Sequence, residues 1–146
     1  MFFDGTEAQV EYETKLVDEI CREMKAKEVR VIKDPRVAAV YWSARANVYP
    51  MIQTIFERAT TEDITVPRNK LPELVRAIQA IAAAEGVMIG LAGHAGDGNI
   101  HPSVLFPQVT PEVLKKAELA IDKLIRAGLD MGGTISGEHG IGTVSY

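Results

Sequence analysis

The sequence predicts an α+β fold: an antiparallel sheet with its helices on one face, plus a helical insert. Segments rich in β-branched residues alternate with segments whose apolar residues recur every three to four positions, which is the period of an amphipathic helix. Their order is strand, helix, strand, a helical insert, and again strand, helix, strand, the split βαβ arrangement of ferredoxin-like domains. The 146 residues contain no repeat or low-complexity tract, so one compact domain is expected.

The first predicted helix follows a turn near the amino terminus. Phe2-Phe3 is interpreted as the end of a strand, and Gly5-Thr6 turns the chain into a helix from about Glu7 to Lys25. Apolar residues at helical spacing form its expected inner face: Tyr12, Leu16, Val17, Ile20 and Met24. Cys21 lies beside that series and has no second cysteine in the chain to pair with, so we expect it to be buried in packing.

A second strand and a second helix come next. Val29 to Ile32 is rich in β-branched residues and predicts a short strand. Asp34-Pro35 then begins a helix, because aspartate caps a helix amino terminus and proline fits the first helical position. The apolar residues of this helix are Val37, Val40, Tyr41 and Ala44. Pro50 lacks a backbone N–H and is expected to end or kink it.

The second half of the chain predicts three strands and two helices. The strands are Ile64 to Val66, Val87 to Leu91 and Ile100 to Phe106. The first of the two predicted helices starts after Asn69 and ends at Gly86, since glycine is favoured just past a helix carboxyl end. The second is capped by Thr110, has Pro111 at its first position and runs to Gly128.

Composition and charge narrow the possible partners. The chain has 16 Lys and Arg against 20 Asp and Glu, for a formal net charge of −4, whereas binding to a nucleic acid backbone needs a basic excess. We therefore expect no nucleic acid partner.

No run of about 18 apolar residues exists, and the first residues lack the basic start and apolar stretch of a signal peptide. A cytoplasmic protein without a transmembrane segment is the expectation.

Two histidines lie between the last two predicted strands, in Gly93-His94-Ala95-Gly96-Asp97-Gly98-Asn99-Ile100-His101. Asp-Gly favours a two-residue type I′ hairpin turn, and a turn at Asp97-Gly98 pairs His94 with His101 across the hairpin. Directly opposed residues have Cβ atoms about 4.5–5.5 Å apart, which lets both imidazoles reach one ion. The alternative is that both histidines are solvated polar residues on an exposed strand pair.

The third histidine lies in the glycine-rich segment 132–142, where glycine permits positive φ and close backbone approach, so a loop is predicted. Glu138 would complete a set of two histidines and one carboxylate, and three protein ligands leave the open position typical of a catalytic metal site. Nitrogen and oxygen ligands without sulfur suit zinc, manganese, iron or cobalt. His139 lies beside a ligand without being needed as one, so it is free to act as a base near neutral pH.

Both segments resemble motifs of one enzyme family. The hairpin matches GHxGDGNxH, and Gly137-Glu138-His139-Gly140-Ile141-Gly142 matches GEHGxG, of the FAD-linked oxidases that act on D-2-hydroxy acids, such as the glycolate oxidase FAD subunit, D-lactate dehydrogenases and D-2-hydroxyglutarate dehydrogenase. Further similarity runs through Asp4-Gly5, Trp42-Ser43-Ala44-Arg45, Glu62-Asp63-Ile64-Thr65-Val66-Pro67 and Lys70-Leu71-Pro72-Glu73. Residues 1–146 thus resemble the C-terminal domain of that family, without its FAD-binding domain. Because the chain starts in a predicted strand and stops in a glycine-rich loop, we expect a fragment of something longer, incomplete at both ends.

The resemblance implies roles for individual side chains. It implies that a divalent metal, either zinc or manganese or iron, is bound by His94, His101 and Glu138. It also implies that His139 is the general base and that the substrate is contacted by Arg45 and Asn99. Asn99 fits the motif and serves either the substrate or the turn. Two positions depart from some members: an asparagine two residues past the second histidine is Ser103 here, and a substrate-side lysine falls at Thr61. Both departures leave the identity of the hydroxy acid open.

The implied reaction is oxidation of a 2-hydroxy acid, such as glycolate or D-lactate, to the 2-oxo acid, with hydride passing to FAD. The implied partners are that small substrate and an FAD-binding domain or subunit, so turnover by this chain alone is left open. An alternative from a different class is a stand-alone ferredoxin-like binding or assembly module without catalytic activity. A flavin-facing surface without its partner would expose apolar residues, which predicts self-association.

Overall fold

The computed structural model describes residues 2–140 of the protein. The chain divides into two compact units, Met1–Asn47 and Val48–Tyr146, and each is described by itself. Ile141 and Gly142, the last two positions of the second motif, lie outside the described residues. Within residues 2–140, none of the helices combines the length and the apolar character that crossing a bilayer requires.

The first unit contains the two helices predicted for it. α1 spans Glu7–Glu23, and the Thr6 hydroxyl accepts a hydrogen bond from the backbone N–H of Gln9. α2 spans Pro35–Ala46, and the Asp34 carboxylate accepts one from the backbone N–H of Arg36 at 2.8 Å. These caps satisfy N–H groups that have no partner within the first helical turn. The predicted starts of both helices are therefore confirmed.

Two predicted strands and one predicted burial in this unit are wrong. Phe2-Phe3 and Val29 to Ile32 form no strand. β-Branched residues favour extended backbone, but a strand also needs a neighbour to pair its N–H and C=O groups, and the described part of this unit contains no strand. Cys21 is half-buried rather than buried, because α1 buries none of its residues fully.

The helix break predicted at Pro50 falls before that residue. α2 ends at Ala46, and the Asn47 side-chain amide donates to the Ser43 carbonyl at 2.7 Å. A further helix, α3, spans Val48–Ile55 and holds Pro50 in its first turn. In a first turn the missing N–H has no intrahelical partner to lose. Pro50 therefore lies inside the start of a helix instead of ending α2.

The second unit contains a four-stranded antiparallel sheet, as the predicted fold class requires. Its strands are β1 (Arg58–Thr61), β2 (Ile64–Thr65), β3 (Met88–His94) and β4 (Asn99–Phe106). β4 pairs with each of the other three: Thr61 lies opposite Ser103, Ile64 opposite Ile100, and Ala92 opposite His101. β1 is not predicted by the sequence, because its residues show no apolar run and pairing with the distant β4 makes it a strand.

Two helices pack on this sheet. α4 spans Leu71–Glu85 and ends at Gly86, whose φ of +64° is the left-handed conformation expected of a helix end. α5 spans Pro111–Asp130, starts at the predicted Thr110 cap and continues past its predicted end at Gly128. Residues of both helices and of the strands share one core: Ile64, Val66, Leu74, Ile78, Ile100, Val104, Phe106, Ala117, Ile121 and Leu124.

The two faces of β4 differ in character. Ile100 and Val104 point to the helices and belong to the core. Because side chains alternate along a strand, Asn99, His101 and Ser103 point to the opposite face. Asn99 and Ser103 are buried there despite being polar. The candidate site lies on this polar face.

Candidate metal centre

The hairpin that carries two histidines has a longer loop than predicted. The prediction of a two-residue turn at Asp97-Gly98 is wrong. A 3₁₀ turn spans Ala95–Asp97, and Gly98 follows with a φ of +75°. The loop packs on Val66, whose backbone N–H donates to the Gly98 carbonyl at 3.0 Å. A Cβ at position 98 would lie 2.1 Å from the Val66 carbonyl oxygen. This contact with a distant segment lies outside what local turn preferences can predict.

The longer loop changes the strand register. His94 pairs with Asn99, and His101 pairs with Ala92, so the predicted pairing of the two histidines is wrong. The predicted loop has two residues and the observed loop has four. Because these lengths differ by an even number, each side chain stays on its predicted face of the sheet. His94 and His101 are diagonal neighbours with ring centres 5.4 Å apart and planes at 83°. The two imidazoles therefore share one face, reached through a different register.

Glu138 joins the two histidines from the glycine-rich loop. Its Oε1 lies 3.1 Å from His94 Nε2 and 3.0 Å from His101 Nε2. The His101 side chain is only 13% exposed, whereas those of His94 and Glu138 are nearly half exposed. One carboxylate oxygen therefore contacts two imidazole nitrogens, with an open side toward solvent. These are the three residues that the sequence groups as metal ligands.

His139 lies beside these three residues. Its ring stacks on that of His101, with centres 4.9 Å apart and planes at 13°, and its Nε2 lies 3.6 Å from Glu138 Oε1. The His139 side chain is exposed. The His139 ring is therefore open to solvent and adjacent to the candidate ligand set.

The loop that carries Glu138 and His139 is held along β2. Thr65 and Thr134 exchange two backbone hydrogen bonds, of 3.0 and 2.8 Å, and Ser136 forms a β-bridge with Asp63. Gly133 passes so close to Thr65 that a Cβ would lie 2.3 Å from the Thr65 carbonyl oxygen. The loop therefore extends the edge of β2 and brings Glu138 to the polar face of the sheet.

Asp63 is a residue of this site that sequence analysis did not assign to it. Its Oδ2 accepts hydrogen bonds from the backbone N–H groups of Glu138 and His139 at 2.7 and 2.8 Å, and its Oδ1 lies 3.5 Å from His101 Nδ1. Burial raises the pKa of Asp63, but the hydrogen bonds from His139, Glu138 and Asn99 outweigh it and lower the pKa from 3.8 to about 2. The available signal was the alternation around buried Ile64, which places Asp63 on the polar face.

Asn99 connects Asp63 to β2. Its side-chain Nδ2 donates to Asp63 Oδ1 at 2.6 Å and to Thr65 Oγ1 at 2.8 Å, while its Oδ1 is buried and has no hydrogen-bond partner among the described residues. Gly137 lies directly over this group, because a Cβ there would be 2.1 Å from Asn99 Nδ2. Asn99 therefore has a structural role, and its contact with substrate stays a prediction.

The two positions that depart from some members of the resembled family are neighbours. Thr61 and Ser103 are paired across β1 and β4, and their hydroxyl oxygens lie 2.8 Å apart.

Arg45 belongs to the first unit, where its guanidinium carbon lies 5.4 Å from the ring centre of Trp42. The role of Arg45 in substrate binding stays a prediction.

Two sets of side chains are close enough to hold a metal ion within residues 2–140: His94, His101 and Glu138, and Asp63, His101 and His139. In the second set both carboxylate oxygens of Asp63 already accept hydrogen bonds. In the first set the Glu138 carboxylate faces imidazole nitrogens, and the half-exposed side leaves room for another ligand. The first set is therefore the better candidate.

Comparison with known proteins places this arrangement in context. The family model described as FAD linked oxidases, C-terminal domain, matches residues 1–145. Glycolate oxidase subunit GlcD of Escherichia coli (strain K12) is 33% identical over 139 residues, which cover 95% of this chain and 28% of that protein. Glycolate oxidase subunit GlcD of Bacillus subtilis (strain 168) is 32% identical over a region that covers 95% of this chain and 30% of that protein. The mitochondrial D-lactate dehydrogenase [cytochrome] of Arabidopsis thaliana is 29% identical over 97% of this chain and 25% of that protein. The chain thus spans less than a third of the length of these relatives.

Proposed function

The chain belongs to the family of FAD-linked oxidase C-terminal domains, and we propose that it forms the metal- and substrate-binding part of an enzyme that oxidises a 2-hydroxy acid to a 2-oxo acid. The observation that carries the proposal is the convergence of His94 Nε2 and His101 Nε2 on Glu138 Oε1. The substrate, the flavin-binding partner and the activity of the whole protein are parts of the same proposal.

The three donor atoms fit a divalent metal. Their separations of 3.0 and 3.1 Å are close to the roughly 3.3 Å between two ligand atoms in a tetrahedral site with bonds of about 2.0–2.1 Å. Two imidazole nitrogens and a carboxylate, without a thiolate, suit zinc, manganese or iron. A bound ion would supply the Lewis acidity that lowers the pKa of a substrate hydroxyl.

His139 is the proposed general base. Its exposed ring stacks on a proposed ligand, so its Nε2 can take the hydroxyl proton of a substrate and pass it to solvent. Arg45 is proposed to bind the substrate carboxylate, on the resemblance of Trp42-Ser43-Ala44-Arg45 to the family. Asn99 is proposed as a second substrate contact on the resemblance of the hairpin to GHxGDGNxH, while its Nδ2 is engaged by Asp63 and Thr65.

The proposed hydride acceptor is FAD on a separate FAD-binding domain or subunit, because a cofactor carries redox chemistry that side chains cannot. Small hydroxy acids such as glycolate and D-lactate are the proposed substrate class, in keeping with the names of the relatives. A cytoplasmic location stays a prediction.

Metal analysis of the dialysed, purified chain tests this proposal. We expect stoichiometric metal in the native chain and none in the double variant His94→Ala, His101→Ala. His139→Ala is the matched control: it removes a neighbouring imidazole that lies outside the proposed ligand set, so it should retain the ion. A native chain without metal, or metal lost equally from His139→Ala, would contradict the proposed site.

The alternative of an assembly module is favoured by one observation in the first unit. Large apolar side chains on it are exposed, among them Phe2, Tyr12, Met24 and Val40, and exposed apolar side chains mark an interaction site where they form a contiguous patch. We expect the purified chain to self-associate as its concentration rises, measured by light scattering. A monomer throughout the concentration series would remove the support for this alternative.

A further inference from the structure

The candidate metal centre includes a carboxylate that the proposed ligand set does not use. Asp63 is 6% exposed and lies immediately before β2, on the polar face of the sheet. Its two oxygens divide their contacts: Oδ2 faces the loop that carries Glu138 and His139, and Oδ1 faces β4. A single buried side chain thereby connects both parts of the site.

The Oδ2 contacts fix the loop. Two consecutive backbone N–H groups, those of Glu138 and His139, donate to this one oxygen at 2.7 and 2.8 Å. Consecutive N–H groups held at one point set the directions in which their side chains leave the backbone, and these side chains are a proposed ligand and the proposed base. Hydrogen bonds to a charged acceptor are roughly twice as strong as those to a neutral one.

The Oδ1 contacts fix β4. Asn99 Nδ2 donates to it at 2.6 Å, and His101 Nδ1 lies 3.5 Å away. That nitrogen is buried and makes no hydrogen bond of ordinary length among the described residues, so Asp63 Oδ1 is the acceptor placed against it. Such contacts are often long before a site is filled and shorten when it is. A histidine that binds a metal through one nitrogen commonly donates its other N–H to a carboxylate.

We propose that Asp63 is the positioning residue of this centre: it fixes Glu138 and His139 through their backbone N–H groups, and it orients His101 through Nδ1 so that Nε2 faces the ion. The inference rests on the proposed metal site. It also excludes Asp63 from the ligand set, because donors already occupy both of its oxygens.

Zinc titration and hydrogen exchange on the full chain test the inference, with Zn²⁺ alone as the probe. Asp63→Asn keeps the size of the side chain but offers one acceptor oxygen in place of two, and Asp63→Ala offers none. Asp97→Asn, the same chemical change at an exposed position of the hairpin loop, is the matched control. We expect Asp63→Asn to weaken zinc binding about 10- to 100-fold and Asp97→Asn to leave it unchanged.

Nuclear magnetic resonance supplies a readout that a purely structural role would not move. In the zinc-loaded native chain we expect a His101 Nδ1–H signal that exchanges slowly with water, and we expect its loss in Asp63→Asn. Without metal, the N–H groups of Glu138 and His139 should exchange more slowly in the native chain than in Asp63→Ala. If Asp63→Ala does not fold, Asp63→Asn replaces it in this comparison.

Equal zinc affinity of Asp63→Asn and Asp97→Asn would overturn the inference, as would equal exchange of the two loop N–H groups in the native chain and the Asp63 variant. The outcome that separates it from the proposed function is a native chain that takes up no zinc but still shows Asp63-dependent protection of Glu138 and His139. That result would refute the metal site and support the anchoring of the loop by Asp63.

Discussion

Replacing Gly137 by alanine is expected to displace the loop that carries Glu138. A Cβ at this position would lie 2.1 Å from Asn99 Nδ2, 2.3 Å from Thr65 Oγ1 and 2.8 Å from Asp63 Oδ1, whereas ordinary contacts begin at 3.4 Å. Asn99 Nδ2 donates hydrogen bonds to the other two atoms, so it cannot move aside without breaking them. The loop must therefore retreat by more than an ångström.

The retreat pulls Glu138 and His139 away from Asp63. A hydrogen bond to a charged group contributes about 1.5–3 kcal/mol, and both loop N–H groups make one to the same carboxylate. Tenfold in an equilibrium constant corresponds to about 1.4 kcal/mol, so the loss of a single one of these bonds is enough for a tenfold effect. We expect Gly137→Ala to lower zinc affinity at least tenfold and the free energy of unfolding by about 2 kcal/mol.

Competition with a zinc chelator measures the affinity, and urea unfolding measures the stability. Gly96→Ala is the control, because a Cβ there meets nothing within 4 Å and the position has no positive φ. This control is expected to be neutral or to stabilise by up to about 1 kcal/mol. If Gly137→Ala binds zinc as tightly as Gly96→Ala, the close approach of Gly137 to Asn99 does not hold Glu138 in place.

Three further effects are expected. Gly128→Ala gains about 1 kcal/mol of helix propensity, but its Cβ would lie 2.5 Å from Ile64 Cγ2. Because overpacking costs about 1–3 kcal/mol, we expect the urea concentration at the unfolding midpoint to fall. A rise in that midpoint would contradict the close packing of Gly128 on Ile64. Thr110→Ala removes the acceptor of the Val113 N–H and should cost about 1 kcal/mol in thermal unfolding, with Thr110→Ser as a near-neutral control. Zinc at about 100 times its Kd should stabilise the chain by about 2.7 kcal/mol, an effect that EDTA should reverse in calorimetry; identical melting with and without zinc would count against a metal site in the native state.

Elements with local signals were predictable from the sequence. α5 follows from the Thr110 cap and the helical period of its apolar residues, and α4 ends at Gly86 as expected. β1 could not be found in this way, because its polar residues become a strand only by pairing with β4. The opposite error at Val29 to Ile32 has the same cause: an apolar, β-branched run does not reveal whether a partner strand exists.

The candidate site was predictable as a set of residues but not as a geometry. Motif spacing grouped His94, His101 and Glu138, and the structure brings these three together. The register of the hairpin was wrong because the loop packs on Val66, which is far away in sequence. Asp63 was missed because alternation around Ile64 indicates only the face on which it lies, whereas its contacts are made with backbone N–H groups of a distant loop.

The two faces of β4 make stability and metal binding separable. Ile100 and Val104 lie in the core, so truncation there creates a cavity and costs about 1–4 kcal/mol, whatever happens at the metal centre. Asn99 and His101 lie on the other face and contact Asp63, so substitutions there act on the site without emptying the core. Because the backbone of one strand carries both sets, a core cavity that shifts β4 should also weaken zinc binding, whereas loss of the His101 imidazole removes a proposed ligand and should lower the free energy of unfolding of the metal-free chain less than a core truncation does. This asymmetry follows from side-chain alternation along a single strand.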